Sequence, residues 1–223
     1  MPTLNNFTVI DSVYGPFVVN RHCAYQAEHL IKTGRPHIDE EVQKILLIVA
    51  GLPDGAVFVD AGANIGLVSL PVAQALAPRG GTVLAFEAHP GTYGYLCANL
   101  ERNRAGNVTP VNRAVGAFAG PVRLHYRPDN PGETHVARDG EAGETVEQVT
   151  LDDYCRAAGL ARVDYIKIDV EGYEAQVIEG ARGLIAANPR LAIQTEYVRR
   201  QLGKFGEPDA LRRLLAGLGL QPF

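Results

Sequence analysis

Five apolar stretches of this 223-residue chain each close on a polar side chain: Asp60, Glu87, Asn112, Asp169 and Glu196. A single acid in such a place commonly does no more than favour the following helix or face water. Five in series describe the rim of a site. Glycines frame the first of them in VDAGANIG (59–66), where Gly62 and Gly66 lack the Cβ that would keep backbone away from a ligand. Asn64 is placed to cap the next helix, whose free N–H groups suit a carboxylate or phosphate. Glu87 follows that loop by about twenty residues, the spacing at which an acid accepts both hydroxyls of a ribose. This much also fits NAD. A dinucleotide loop, however, reads G-x-G-x-x-G so that a pyrophosphate can approach, and the middle glycine is here Asn64. A nucleoside without a pyrophosphate fits better.

A second constellation is KIDVEGYE (167–174). Asp169 there can orient a hydroxyl or amine, or take its proton. Glu171 sits two residues on, in a turn that Gly172 permits, while Glu174 suits the first turn of the next helix. Lys167 shares a strand face with Asp169, so it either pairs with a carboxylate or snorkels outwards. Thr150 and Asp153 match a helix capping arrangement, and Asp152 between them serves either that turn or a substrate. Asp169 and Glu196, with Asp152, offer hard oxygen ligands of the kind Mg²⁺ takes. Acidic strand ends without a metal are the preferred reading, so no metal ligand is assigned. His22, His29 and His37 lack i, i+4 ligand spacing and are ordinary. His89 is expected to cap a helix or face solvent, and Arg199, Arg200 and Lys204 to form a solvated basic face.

The elements that must hold these residues alternate. Residues 56–60, 82–87, 108–112, 164–169 and 191–196 read as strands, each followed by helical sequence, the second such helix opening at His89-Pro90. Pro110 weakens the third strand. Strands this apolar, alternating with helices, imply an α/β, Rossmann-like, doubly wound and mostly parallel sheet, with its ligand outside the carboxyl ends of the strands. VRLHYR (122–127) and TVEQV (145–149) read as two extra strands with a mobile loop from Pro128 to Glu144 between them, a hairpin-like insertion suited to a substrate rim. Residues 1–50 form a lead-in of short β pieces (7–10, 17–19) and two helical stretches (25–31, 40–49), and residues 51–223 form the main domain.

Composition narrows the partners. A net charge of −4 and a pI near 5.9 give no basic surplus for nucleic acid or anionic membrane. No apolar run reaches the roughly 20 residues that span a bilayer, and the first residues lack the pattern of a signal peptide. Cys23, Cys97 and Cys155 lie far apart, which points to a reducing, cytoplasmic setting.

Taken in order, VDAGANIG, AFEAHP (85–90), VNRAVG (111–116), VTLDDY (149–154) and YIKIDVEGYEAQVIEGA (165–181) resemble the FkbM-type methyltransferases, over roughly residues 56–196. The resemblance implies transfer of a methyl group from S-adenosylmethionine, usually to oxygen and sometimes to nitrogen, on sugars, glycolipids or secondary metabolites. It implies that Asp60, Gly62, Asn64 and Gly66 hold the methionine part of the cofactor and Glu87 its ribose. Asn112 and Ala114 would lie near adenine, Asp169 and Glu171 on the reaction side, and Glu196 by the acceptor. Two departures stand out. Pro71 falls where it should kink or shorten the helix after the glycine loop. The sequence ends at Leu220-Gln221-Pro222-Phe223, where the sixth strand of that fold's terminal antiparallel pair (its sixth and seventh strands) should be starting. The N-terminal β pieces, another chain or a reduced terminus must deal with that edge, and an exposed edge favours a homodimer. The competing readings are an NAD-dependent oxidoreductase and a non-catalytic nucleoside-binding or scaffold module.

Overall fold

The central strands bury both faces, and each alternate residue goes to a different core. The computed structural model describes residues 7–21, 24–127, 130–207 and 209–221; His22, Cys23, Pro128, Pro222 and Phe223 lie outside them. In chain order the elements are β1 (Phe7–Ile10), β2 (Phe17–Asn20), α1 (Ala24–Thr33), α2 (Asp39–Ala50), β3 (Val57–Ala61), α3 (Ser69–Leu76), β4 (Thr82–Phe86), α4 (Pro90–Arg102) and β5 (Val108–Val111). There follow β6 (Ala114–Val115), β7 (Gly120–His125), β8 (His135–Val136), β9 (Glu144–Val149), α5 (Leu151–Ala157) and β10 (Tyr165–Ile168). The last are α6 (Glu174–Glu179), α7 (Arg182–Ala187), β11 (Ala192–Thr195), α8 (Arg199–Leu202) and α9 (Ala210–Gly217).

The main sheet runs β11-β10-β3-β4-β5, every pair parallel. Val57, Val59 and Ala61 pack with Ile166, Ile168, Val177 and Leu211 on one face. Phe58 and Tyr165 face the other, their rings stacked at 4.9 Å, against Val42, Ile45 and Val49 of α2 and Val72 of α3. From β3 the chain builds outward to β4 and β5, then returns to lay β10 on the opposite side of β3. The switch point of this doubly wound sheet therefore lies between β3 and β10, where a ligand crevice is expected.

Four details differ from the sequence reading. Asn64 caps nothing: α3 begins at Ser69, behind Val68, and Asn64 adopts a left-handed turn at φ 51°. Because α3 starts that late, Pro71 falls in its first turn, where a missing N–H removes no intrahelical bond, and no kink is required. The stretch from 128 to 144 is more than a loop: it holds a short 3₁₀ turn (Pro131–Glu133) and β8, which pairs antiparallel with β7. β7 and β9 pair antiparallel as a hairpin-like insertion, and β6 adds to β9, giving a separate sheet of order β6-β9-β7-β8. Finally, β1 and β2 form their own antiparallel pair and do not fill the β11 edge. Their apolar residues Ile10, Phe17 and Val19 pack with Ile65, Leu70 and Tyr95 instead.

Candidate active site

The loop after β3 and the loop after β10 meet at the switch point, and Gly62 is the reason they can. A Cβ on Gly62, whose φ is +88°, would stand 1.9 Å from the carbonyl oxygen of Asp169. The Gly62 and Ala63 amides donate to the Phe86 carbonyl at 3.0 and 2.8 Å, tying this loop to the end of β4. Between the loops opens a cavity of about 340 Å³, within the range of small-molecule sites.

Glu87 is buried on one wall. Its two carboxylate oxygens accept from the Asn64 amide at 3.0 Å and the His89 amide at 2.9 Å. Burial pushes its carboxyl up to about 7, against the pull of those two N–H groups. The side chain of Asn64 contributes a buried oxygen with no hydrogen-bond partner, on a residue that lines the cavity. Asn112 serves as a brace: its amide donates to the Glu87 and Ala88 carbonyls at 2.9 and 3.0 Å. Its neighbours Arg113 and Ala114 line the cavity, whereas Asn112 does not.

Asp60 and Lys167 lie side by side on β3 and β10, in register across the sheet. Asp60 is fully buried, accepts from the Ser69 hydroxyl at 2.6 Å and stands 3.5 Å from the Lys167 ammonium. Lys167, itself buried, also reaches Asp169 at 3.3 Å and donates to the Gly62 carbonyl at 3.4 Å. Burial works against its charge, but Asp169, Asp60 and Glu41 outweigh it and hold the ammonium above its usual range. Pairing is thus the arrangement adopted, not snorkelling.

Across the cavity stand Asp169, Glu171 and Glu196. Glu171 holds a left-handed backbone at φ 58° and accepts from the Gln201 side chain of α8. Burial raises its carboxyl to about 7, with the charges of Asp169 and Glu196 adding to the effect. Glu196 is likewise pushed to about 7, by burial first and then by Asp169. One of its oxygens is buried without a hydrogen-bond partner.

Of the expected residues, Gly62, Asn64, Glu87, Ala114, Asp169, Glu171 and Glu196 line one cavity. Asp60, Gly66 and Asn112 lie behind it: Gly66 makes the turn beside Leu96, where a Cβ would come within 3.0 Å. Asp152 is elsewhere, its oxygens accepting from the Gly183 and Leu184 amides at 2.8 and 2.7 Å, so it joins neither Asp169 nor Glu196. Thr150 caps α5 by accepting from the Asp153 amide at 3.0 Å, and His89 caps α4 while stacking on Tyr126 at 3.7 Å. Glu174 opens α6 and takes the Val170 and Gly172 amides on one oxygen.

The sequence reading missed three contributors: His37 just before α2, Glu41 in its first turn, and the 131–136 segment of the insertion with Glu133 and His135. A polar residue at a helix start is ordinary in sequence, so only the packing of α2 over the sheet reveals its role.

Comparison with known proteins gives this geometry a family. The model of the methyltransferase FkbM domain matches residues 60–221. The chain is 32% identical over 194 residues to the 31-O-demethyl-FK506 methyltransferase FkbM of Streptomyces tacrolimicus, covering 73% of this chain and 72% of that protein. It is 34% identical over 164 residues to methyltransferase sdnD of Sordaria araneosa, covering 59% of this chain and 62% of that one. Matches span less than two thirds of the length of sdnD and of two other curated relatives. Among solved structures, cofactor-bound Rv0187 from MTB superposes with a TM-score of 0.52 at 17% identity, over 92% of this chain and 80% of that one, a likeness of fold. These findings overturn the NAD-dependent alternative. The chain belongs to the FkbM family of S-adenosylmethionine-dependent methyltransferases.

Proposed function

We propose that this enzyme methylates a hydroxyl on a small molecule of the sugar, glycolipid or secondary-metabolite kind. The observation that carries the reading is the placement of Glu171 and Glu196, both held near neutrality, in the same cavity as the glycine loop. A base with that affinity for protons is matched to work at neutral pH. The named activities of two relatives point the same way: the FkbM of Streptomyces tacrolimicus, and the hexuronic acid methyltransferase AglP of Haloferax volcanii, 27% identical over 142 residues.

The residues present fit the cofactor. The unpartnered oxygen of Asn64 and the backbone of Gly62 suit its amino-acid end. Glu87, whose oxygens retain lone pairs beyond the two N–H bonds, suits ribose hydroxyls, and Ala114 leaves room for the adenine. Carboxylates outnumber cations around the cavity, which favours a positively charged ligand. When bound, S-adenosylmethionine supplies a methyl carbon on a cationic sulfur, which departs as the neutral thioether. Asp169, anchored by Lys167, orients the acceptor; Glu196 or Glu171 takes the hydroxyl proton as the acceptor oxygen bonds to carbon. Holding the two partners in line supplies much of the rate.

Incubation with methyl-labelled cofactor and a panel of sugars, glycolipids and hydroxylated metabolites tests the proposal. Label appearing in an alkali-stable methyl ether supports it. Label found only in N-methyl products, or cofactor binding without transfer to any acceptor, would reject it, the latter in favour of a non-catalytic binder.

A further inference from the structure

The cavity does not end at the catalytic carboxylates. Glu41 opens the first turn of α2, outside the residues matched by the family model, yet it lines the cavity. It is held there by a relay from the sheet. The hydroxyl of buried Tyr165 donates to the side-chain oxygen Oε1 of Gln194 at 2.7 Å, and the side-chain Nε2 of Gln194 donates to one Glu41 oxygen at 2.8 Å. Fixing a surface-helix carboxylate from two adjacent strands costs side-chain entropy, and the second oxygen stays available to a ligand.

Glu41, His37 and Ile38 also line a second groove, of about 480 Å³, that continues outward over the turn between α1 and α2. Its remaining walls carry His29, Thr33, Arg35 and Lys44, along with Asp39 and Glu40. Hydrogen-bonding groups of both signs alternate there, and Arg35 and Asp39 already pair at 2.8 Å. An apolar ligand would strip water from these charged and polar groups and offer them no partner in return. A strongly anionic ligand meets three acids, and a strongly cationic one meets Arg35 and Lys44. Many neutral hydroxyls satisfy both sets.

We propose that this groove is an acceptor subsite for a glycan of more than one sugar unit, with Glu41 as the positioning residue that turns the chain's end into the catalytic cavity. The inference rests on the proposed hydroxyl methylation and narrows its acceptor.

The test maps amide shifts of the ¹⁵N-labelled chain, first with S-adenosylhomocysteine and then with added maltotriose. The first ligand should move the amides of residues 62–66, and maltotriose those of residues 29–44. Glu41→Ala should weaken maltotriose at least tenfold and Lys44→Ala about threefold, while the dispersed amide spectrum of each variant, unchanged outside residues near the substitution, reports that it is folded. Glu41→Gln, which keeps an oxygen for Gln194, should recover most of the loss. Maltotriose shifts that are absent, lie elsewhere, or survive Glu41→Ala overturn the subsite while leaving hydroxyl methylation intact. Failure of S-adenosylhomocysteine to bind the unaltered chain overturns the reading on which both rest.

Discussion

Glu171 and Glu196 are costly to the fold because their charges are partly desolvated. A carboxyl raised from its ordinary value to about 7 binds its proton more tightly in the folded chain than in the unfolded one. Below the unfolded value both states are protonated and nothing is lost; stability then falls as pH rises, and the full penalty is present above about 7. Glu171→Gln should therefore raise stability by about 1–2 kcal/mol at pH near 8, a figure reduced for its partial exposure, and by nothing near pH 4. Denaturant melts at the two pH values check this, and an equal gain at both would contradict it. Activity has the opposite sign, since only the ionised pair accepts a proton: kcat/KM should climb as pH rises through about 7 and then level. Glu87 makes a separate claim. Above about pH 7, where the Glu87 carboxyl is ionised, Glu87→Gln replaces a charged acceptor by a neutral one, which should weaken S-adenosylmethionine by about 1.5–3 kcal/mol, roughly 10–100-fold by calorimetry at pH near 8. Of these residues, Glu87 and Glu196 were readable as strand-end acids. Their raised proton affinity was not, because it comes from burial and from neighbours distant in sequence.

The elements around the site are held by backbone contacts that tolerate little change. Gly62→Ala puts a methyl into the Asp169 carbonyl and into a positive-φ turn at once. It should cost more than about 2 kcal/mol and abolish cofactor binding, whereas Gly140→Ala, with nothing within 4 Å of its Cβ, bears only the φ penalty. Thermal melts of the pair decide it; similar melting points would refute the steric argument. Asn99 of α4 does comparable work for the lead-in. Its buried amide accepts from the Val18 amide at 2.5 Å and donates to the Val18 and Ile65 carbonyls at 3.1 and 2.8 Å. Asn99→Ala leaves three buried groups unpaired, and a loss of about 3 kcal/mol is expected, with faster hydrogen exchange at Val18. The sequence showed the strands and helices by their periodicity, yet no local pattern marks a buried asparagine as the joint between two of them.

For the whole molecule, the question is whether the first fifty residues are an appendage. Val42, Ile45 and Val49 of α2 are buried in the same cluster as Phe58, Val72 and Tyr165. A chain begun at Gly51 would expose that apolar face of the sheet, so it should show no cooperative unfolding transition. A sharp two-state melt of residues 51–223 would show the lead-in to be dispensable. The other end of the sheet is treated differently: β11 pairs only with β10 among the described residues, and the N-terminal strands pack far from it, over α3 and α4. No helix among the described residues is long and apolar enough to cross a membrane.

The sequence by itself determined the alternation of strand and helix, the parallel sheet, and a glycine loop with an acid about twenty residues on. Those are local: a period of two, an apolar run, or a residue without a Cβ can be read without knowing its neighbours in space. The tertiary structure alone decided which of the polar residues share a cavity. It set Asp60 and Asn112 behind the wall, sent Asp152 to the start of α7, and brought Glu41 in from α2. Such partnerships join residues up to 153 positions apart, as in the Gln194–Glu41 bond, and depend on how faces pack after the chain has folded. The VDAGANIG loop shows the division within one motif: its glycines were legible as a ligand-binding turn, but that Gly62 is required by the Asp169 carbonyl could be seen only once β3 and β10 lay side by side.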